Sequence, residues 1–190
     1  MARSGPVRTG LYDPSAEHDA CGFAFVATLR GTPGRDVVDA GLTALRNLEH
    51  RGAVGAEQDS GDGAGICTQV PDAFFRAVVG ADLPPAGHYA VGMVFLPTSP
   101  SERAMAEQRI EGITAEEGLE VLAWRDVEVD ASLLGPTARA AMPHFRQLVV
   151  ADPGRALAGI DLDRRAFRVR RRAEHETSTY IASLSARTVV

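Results

Sequence analysis

Cys21 stands where a polar stretch, Asp13-Pro14-Ser15-Ala16-Glu17-His18-Asp19-Ala20, gives way to an apolar one, Gly22-Phe23-Ala24-Phe25-Val26-Ala27. Cleavage of the bond between Ala20 and Cys21 would give one residue both a thiol nucleophile and a free α-amine to serve as its base, a known solution to acyl-transfer catalysis. A thiol titrates near a pKa of about 8.5 and an α-amine near about 7.7 to 8.0, so both are close to the states such a reaction uses at neutral pH. An internal cysteine would need a separate histidine. The plainer reading of Cys21 is a small apolar residue opening a buried strand, since free cysteine is among the most buried residue types.

The second chemical feature is the run from Leu48 to Ile66, which begins Leu48-Glu49-His50-Arg51-Gly52-Ala53 and ends Gly61-Asp62-Gly63-Ala64-Gly65-Ile66. Its five glycines, at positions 52, 55, 61, 63 and 65, require tight turns, positive φ or a close approach of backbone to a ligand. A phosphate-cradling loop is the rival reading, but the spacing is not GxGxxG and no GK[ST] follows. The guanidinium of Arg51 offers a planar fork that stays charged at all working pH values. Near Cys21 it could orient the terminal amine or stabilise a thiolate; alone, it is equally a surface arginine favourable to a helix C-terminus.

These residues need elements to hold them. Gly22 to Leu29 puts Phe23, Phe25, Ala27 and Leu29 on one face and predicts a buried strand. Val37, Val38, Leu42, Leu45 and Leu48 recur at helical spacing and predict a helix over 35–49, which delivers His50-Arg51-Gly52 at its end. A second strand is expected over 66–70, a short helix capped by Asp72 over 72–79, and a strand over 89–96. Ser99-Pro100-Ser101-Glu102 matches a capping arrangement, with Ser99 as N-cap and Glu102 reaching back, and opens a helix to near Glu117 that Gly118 stops. Strands follow over 120–129 and 145–150, a short helix over 136–141, a strand over 167–172 and a final strand over 178–190. The alternation indicates a layered protein of helices and strands without repeats.

Composition excludes several classes. There are 190 residues, enough for one domain with a sizeable core, and only two cysteines, Cys21 and Cys67, so neither a disulfide framework nor a zinc pattern is present. The five histidines are scattered and no metal site is expected. No basic-flanked apolar segment marks a secretory signal, and no run approaches the ~20 residues of a membrane span. The chain reads as cytoplasmic. All 20 basic residues are arginine, which removes any P-loop or Schiff-base lysine. Six arginines between Arg164 and Arg172 could contact phosphates, yet the net charge of −5 argues against nucleic acid.

Glu17-His18-Asp19-Ala20-Cys21-Gly22, then Leu48-Glu49-His50-Arg51-Gly52-Ala53, then Gly61-Asp62-Gly63-Ala64-Gly65-Ile66, and finally Tyr180-Ile181-Ala182-Ser183-Leu184-Ser185-Ala186-Arg187-Thr188-Val189-Val190 together resemble the amino-terminal glutamine amidotransferase domain of the glutamate synthase large subunit. The likeness runs from about Leu11 to Val190. It implies an α+β fold of the amino-terminal-nucleophile hydrolase type, a four-layer αββα sandwich with two stacked antiparallel sheets, incomplete in this chain. Residues 1–20 would be a leader and 21–190 the first part of a class II amidotransferase domain.

By the same resemblance Cys21 is the catalytic nucleophile, and Arg51 and Gly52 belong to the HRG motif that lies beside it. The substrate is L-glutamine, and the ammonia released serves glutamate synthesis from 2-oxoglutarate. No cofactor is expected in this chain; FMN and an iron-sulfur cluster are expected in the full-length enzyme. Partners are the remaining synthase domains and a small NAD(P)H-oxidising subunit, with no nucleic acid and no membrane. The sequence departs from the family at Ala24, where glycine is usual, and the oxyanion-hole asparagine and glycine of the family fall after Val190. A truncated, inert domain that acts only as a folding or interaction module is the alternative.

Overall fold

The structure, a computed structural model, describes residues 22–29, 31–49, 52, 61, 63–80 and 82–190. The chain divides into two units, 1–54 and 55–190. The elements in order are α1 (Arg35–Asn47), β1 (Thr68–Gln69), α2 (Asp72–Val79), β2 (Tyr89–Leu96), α3 (Pro100–Glu116), β3 (Glu120–Asp126), α4 (Pro136–Ala141), β4 (His144–Ala151), α5 (Gly159–Glu176), β5 (Tyr180–Ser185) and β6 (Thr188–Val189).

In the first unit, α1 follows Gly34, whose extended backbone makes it the N-cap. Arg35 and Asp39 form an exposed ion pair one turn apart at 2.8 Å, and Val37, Val38, Leu42 and Leu45 share a half-buried face. The strand expected over 22–29 is absent. Residues 22–28 are irregular, and Phe23, Phe25 and Leu29 stand 87%, 82% and 104% exposed. Alternation alone does not make a strand; its backbone groups need a hydrogen-bonded neighbour, and none of the described residues pairs with this segment.

The second unit is built on β2. Its sequence, Tyr-Ala-Val-Gly-Met-Val-Phe-Leu, is apolar on both faces, which suits a central strand covered from two sides. The sheet order is β3-β4-β2-β5, and every pairing is antiparallel, with Tyr89 opposite Ala151 and Leu96 opposite His144. The register slips between Met93 and Val94 against β5, and between Val121 and Ala123 against β4. Gly92 lets β5 approach closely: a methyl group there would lie 2.9 Å from both Leu184 Cδ1 and Ser183 O.

One face of this sheet carries Ala90, Val94, Leu96, Leu148, Val150, Ile181 and Leu184. It is covered by Ala106, Ile110 and Ile113 of α3 and by Leu162, Ala166, Val169 and Ala173 of α5. The buried positions on α5 recur at intervals of four, three and four residues, the signature of one helix face. This corrects the strand expected over 167–172. The alternation of Phe167 and Val169 with arginines mimics a period of two, whereas the longer pattern from Leu162 to Ala173 has the helical period.

On the other face, Tyr89, Val91, Val149 and Ala151 pack with Phe75 of α2, Leu83 and Val189 of β6. β1 and β6 form a separate two-stranded antiparallel pair, Thr68 opposite Val189. The strand expected over 66–70 is thus only two residues long, and the one expected over 178–190 is split by a turn at Ala186-Arg187. Asp163 of α5 fixes that turn, its Oδ1 accepting the Ala186 N–H at 2.6 Å. The fold is α+β.

Helix ends follow their sequence signals in part. Gly118, with φ +77, closes α3, and the Gly118 and Leu119 N–H groups donate to Ala115 and Thr114 carbonyls at 2.9 Å. Gly80, with φ +67, closes α2 in the same left-handed way. The expected capping bonds are not made: Ser99 is the N-cap of α3 but its hydroxyl meets Ser101 Oγ at 3.1 Å. Asp72 is the first residue of α2 instead of its cap, Pro71 holding that position.

Candidate functional site

Cys21 and Arg51, with His50, lie outside the described residues. Gly52 is described and exposed; its N–H donates to Glu49 O at 3.0 Å, so a tight turn follows directly on α1. A methyl group at Gly52 would sit 3.4 Å from that same carbonyl, the near limit of ordinary van der Waals contact, so the described surroundings do not by themselves demand glycine there. Of the other glycines in this run, Gly61, Gly63 and Gly65 are exposed, and built side chains at Gly63 and Gly65 would meet nothing within 4 Å.

The second unit holds a polar cluster that sequence reasoning missed. The Tyr89 hydroxyl donates to Asp72 Oδ1 at 2.9 Å, and Arg76 donates through Nε and Nη2 to both carboxylate oxygens at 2.8 and 3.0 Å. The same guanidinium donates to Leu83 O and Pro84 O at 2.8 and 2.6 Å. Arg76, then Tyr89, hold the Asp72 carboxyl below its ordinary range, while burial, then the Asp72 bond, push the Tyr89 phenol well above its own. Neither shift prepares a proton donor or nucleophile for neutral pH. The cluster ties α2 to β2 and to the 83–84 loop. The spacing of Asp72 and Arg76 by four residues was a visible sign of half of it; Tyr89, 17 residues away, left none.

Two recesses border this unit. One, of about 300 Å³, is lined by Gln69, Val70, Asp72, Tyr89, Ala186 and Arg187 among others. The other, of about 470 Å³, lies beside Phe95, Pro97, Met142, Pro143 and Tyr180, where Phe95 meets Phe145 and Tyr180 edge-on at 4.9 and 5.5 Å between ring centroids. Neither holds a nucleophile paired with a base. Cys67 is exposed. Among the described residues no three His, Cys, Asp or Glu side chains group as metal ligands, and no helix is long and apolar enough to cross a membrane.

Comparison with known proteins supplies what this geometry does not. Residues 21–190 match the family described as "Glutamine amidotransferases class-II". The chain is 39% identical over 191 residues to "Glutamate synthase [NADPH] large chain" of Bacillus subtilis (strain 168), an alignment covering 97% of this chain and 13% of that one. It is 40% identical over 179 residues to "Ferredoxin-dependent glutamate synthase 2" of Synechocystis sp., covering 92% of this chain and 11% of the relative. A third relative, "Ferredoxin-dependent glutamate synthase 1, chloroplastic/mitochondrial" of Arabidopsis thaliana, is 37% identical over 195 residues, covering 97% and 12%. The chain therefore spans roughly an eighth of the length of these relatives.

Proposed function

The chain belongs to the class II glutamine amidotransferases, and from that premise we propose that it is the glutaminase part of a glutamate synthase, hydrolysing L-glutamine at Cys21 and supplying ammonia for glutamate synthesis from 2-oxoglutarate. The observation that carries this reading is the family match, which opens at Cys21 and runs through Arg51 and Gly52 to Val190. Residues 1–20 are a leader whose removal frees the Cys21 α-amine.

The chemistry is balanced within one residue and one water. The Cys21 thiol attacks the side-chain amide carbon of glutamine while its proton passes to the α-amine. The tetrahedral intermediate collapses with cleavage of the C–N bond, and the amine returns the proton to the departing nitrogen, leaving ammonia and a γ-glutamyl thioester. Water then adds to the thioester carbon, the C–S bond breaks, glutamate leaves and the thiol regains its proton. Arg51 orients the amine or stabilises the thiolate through its fixed charge, and Gly52 lets the chain turn beside it.

The two antiparallel sheets, with α3 and α5 on the outer face of the larger one, suit a four-layer αββα sandwich. The small β1–β6 pair would belong to the inner second sheet. FMN, an iron-sulfur cluster, the remaining synthase domains and an NAD(P)H-oxidising subunit belong to the full-length enzyme in this reading, and the compartment is the cytoplasm.

Release of glutamate from glutamine by the wild-type chain and by Cys21→Ala tests the proposal. The substitution is expected to lower the rate by at least about 1,000-fold, as loss of a catalytic nucleophile does, with the thermal midpoint unchanged. Equal rates in the two proteins, both above that of buffer, would refute Cys21 as nucleophile. A wild-type chain no faster than buffer would leave the inert module as the correct reading.

A further inference from the structure

The chemistry proposed for glutamine hydrolysis uses none of the arginine-rich segment, and α5 sorts it into two faces. Leu162, Ala166, Val169 and Ala173 point into the core. Arg164, Phe167, Arg168 and Arg171 stand three or four residues apart and so share the opposite, solvent-facing side. Phe167 is 58% exposed, an aromatic ring with guanidiniums on both sides along the helix. Arg164 meets Asp161 at 2.8 Å, Arg168 meets Glu117 at 2.8 Å and Arg171 meets Glu174 at 2.7 Å. A guanidinium has five N–H donors, so each retains donors for a further carboxylate.

A complementary surface lies elsewhere on the same unit. After Asp126, the last residue of β3, the chain reads Val127-Glu128-Val129-Asp130, in neither helix, strand nor turn. Glu128 and Asp130 are exposed, Val129 is 46% exposed and Leu133, just after, 84%. Asp126 is engaged by His144 and Arg146 at 3.0 and 3.1 Å, and Asp130 accepts the Ser132 N–H at 2.9 Å. Glu128 has no ion-pair partner among the described residues. In an extended chain, residues two apart stand about 6.6 Å from one another; Arg164 and Arg168, four apart on a helix, are separated by about 6 Å along its axis. The spacings match.

Among the described residues the two surfaces do not pair with each other: Arg164, Arg168 and Arg171 engage Asp161, Glu117 and Glu174, and the acidic segment follows the last residue of β3 whereas Glu117 precedes its first. We propose that a second copy of this chain docks its acidic segment, Glu128 to Asp130 with Val129 and Leu133, onto the Arg164–Phe167–Arg168–Arg171 strip of α5. Because the two patches differ, the interface is heterologous, and its repetition gives a ring or an open chain of protomers.

Sedimentation velocity of the full chain, across a concentration series at about 0.05 M and about 0.5 M salt, tests this directly. Association at low salt that disappears at high salt is expected. The double variants Arg164→Glu/Arg171→Glu and Glu128→Arg/Asp130→Arg should each weaken it by at least about tenfold, and Phe167→Ala should weaken it without altering the salt dependence. An equimolar mixture of the two charge-reversed proteins should associate again, since each then presents the complement of the other. A monomer under all conditions, association indifferent to both reversals, or a strip whose reversal abolishes only binding of an added single-stranded oligonucleotide would overturn the proposal. Unchanged circular dichroism of every variant keeps each outcome interpretable.

Discussion

Residues 22–29 and β2 are both short apolar stretches with strand-like sequences, and they end in opposite conditions. β2 is flanked by β4 and β5, sealed by two helices on one face and by α2 and β6 on the other, and Ala90, Val91 and Val94 are wholly buried. In the segment after Cys21, Phe23, Phe25 and Leu29 are exposed and none of the described residues pairs with it. The contrast teaches that an apolar pattern sets which face a strand would bury, while neighbours decide whether the strand exists. It also separates two kinds of information. The motifs that point to chemistry lie in the sequence at Cys21 and at His50-Arg51-Gly52, whereas the recesses beside the packed sheet hold no nucleophile paired with a base among the described residues.

If that division of labour holds, substitutions in the sheet should act on stability and substitutions at Cys21 on turnover alone. The largest effect on stability is expected at Leu148, fully buried on the helix-covered face. Leu148→Ala should cost about 2–5 kcal/mol, read as a lower denaturation midpoint in urea. A loss below about 0.5 kcal/mol would mean that the sheet core is not the stabilising unit.

Gly92→Ala comes next. The added methyl would lie 2.9 Å from a backbone carbonyl as well as from a side chain, so β5 must move away, at a cost of about 1–3 kcal/mol. Chemical denaturation measures it, and an unchanged or raised stability would show that β5 is not held as closely as its register with β2 requires.

The smallest effect is a dependence on acid. Asp72 has its folded pKa depressed by Arg76 and Tyr89, so it contributes stability that is complete above the unfolded value of about 3.9 and is lost as pH falls through the folded value. Glu116 and Glu176, each depressed by Arg109 and Arg172, act in the same direction between α3 and α5. Thermal midpoints should therefore be flat near neutrality and fall below about pH 4. Tyr89→Phe should shrink the Asp72 share of that slope. A midpoint that rises on acidification would contradict the assignment of these groups.

The helices and strands with one dominant signal were legible in the sequence. α2, α3 and α4 start at or within a residue of where Asp72, Ser99-Pro100 and Pro136 place them, and β2 and β4 are the apolar runs read as strands. α5 was not legible because arginines occupy most of its outer face, and the two apolar residues among them, Phe167 and Val169, gave a false period of two. The order β3-β4-β2-β5 and the Tyr89–Asp72 bond depend on contacts between distant residues, which no local pattern encodes. The candidate site was read the other way round: Cys21, Arg51 and Gly52 were found by motif order and not by any packing rule, and of the three only Gly52 lies among the described residues.

Intact-mass spectrometry of the protein made in cells, before and after brief exposure to a glutamine analogue bearing an electrophilic diazoketone, bears most directly on the assignment of chemistry to Cys21. A mass lacking Met1 to Ala20 and gaining a single adduct that peptide mapping places on Cys21 is the expected result. Retention of the leader together with no adduct, or an adduct on Cys67, would contradict it.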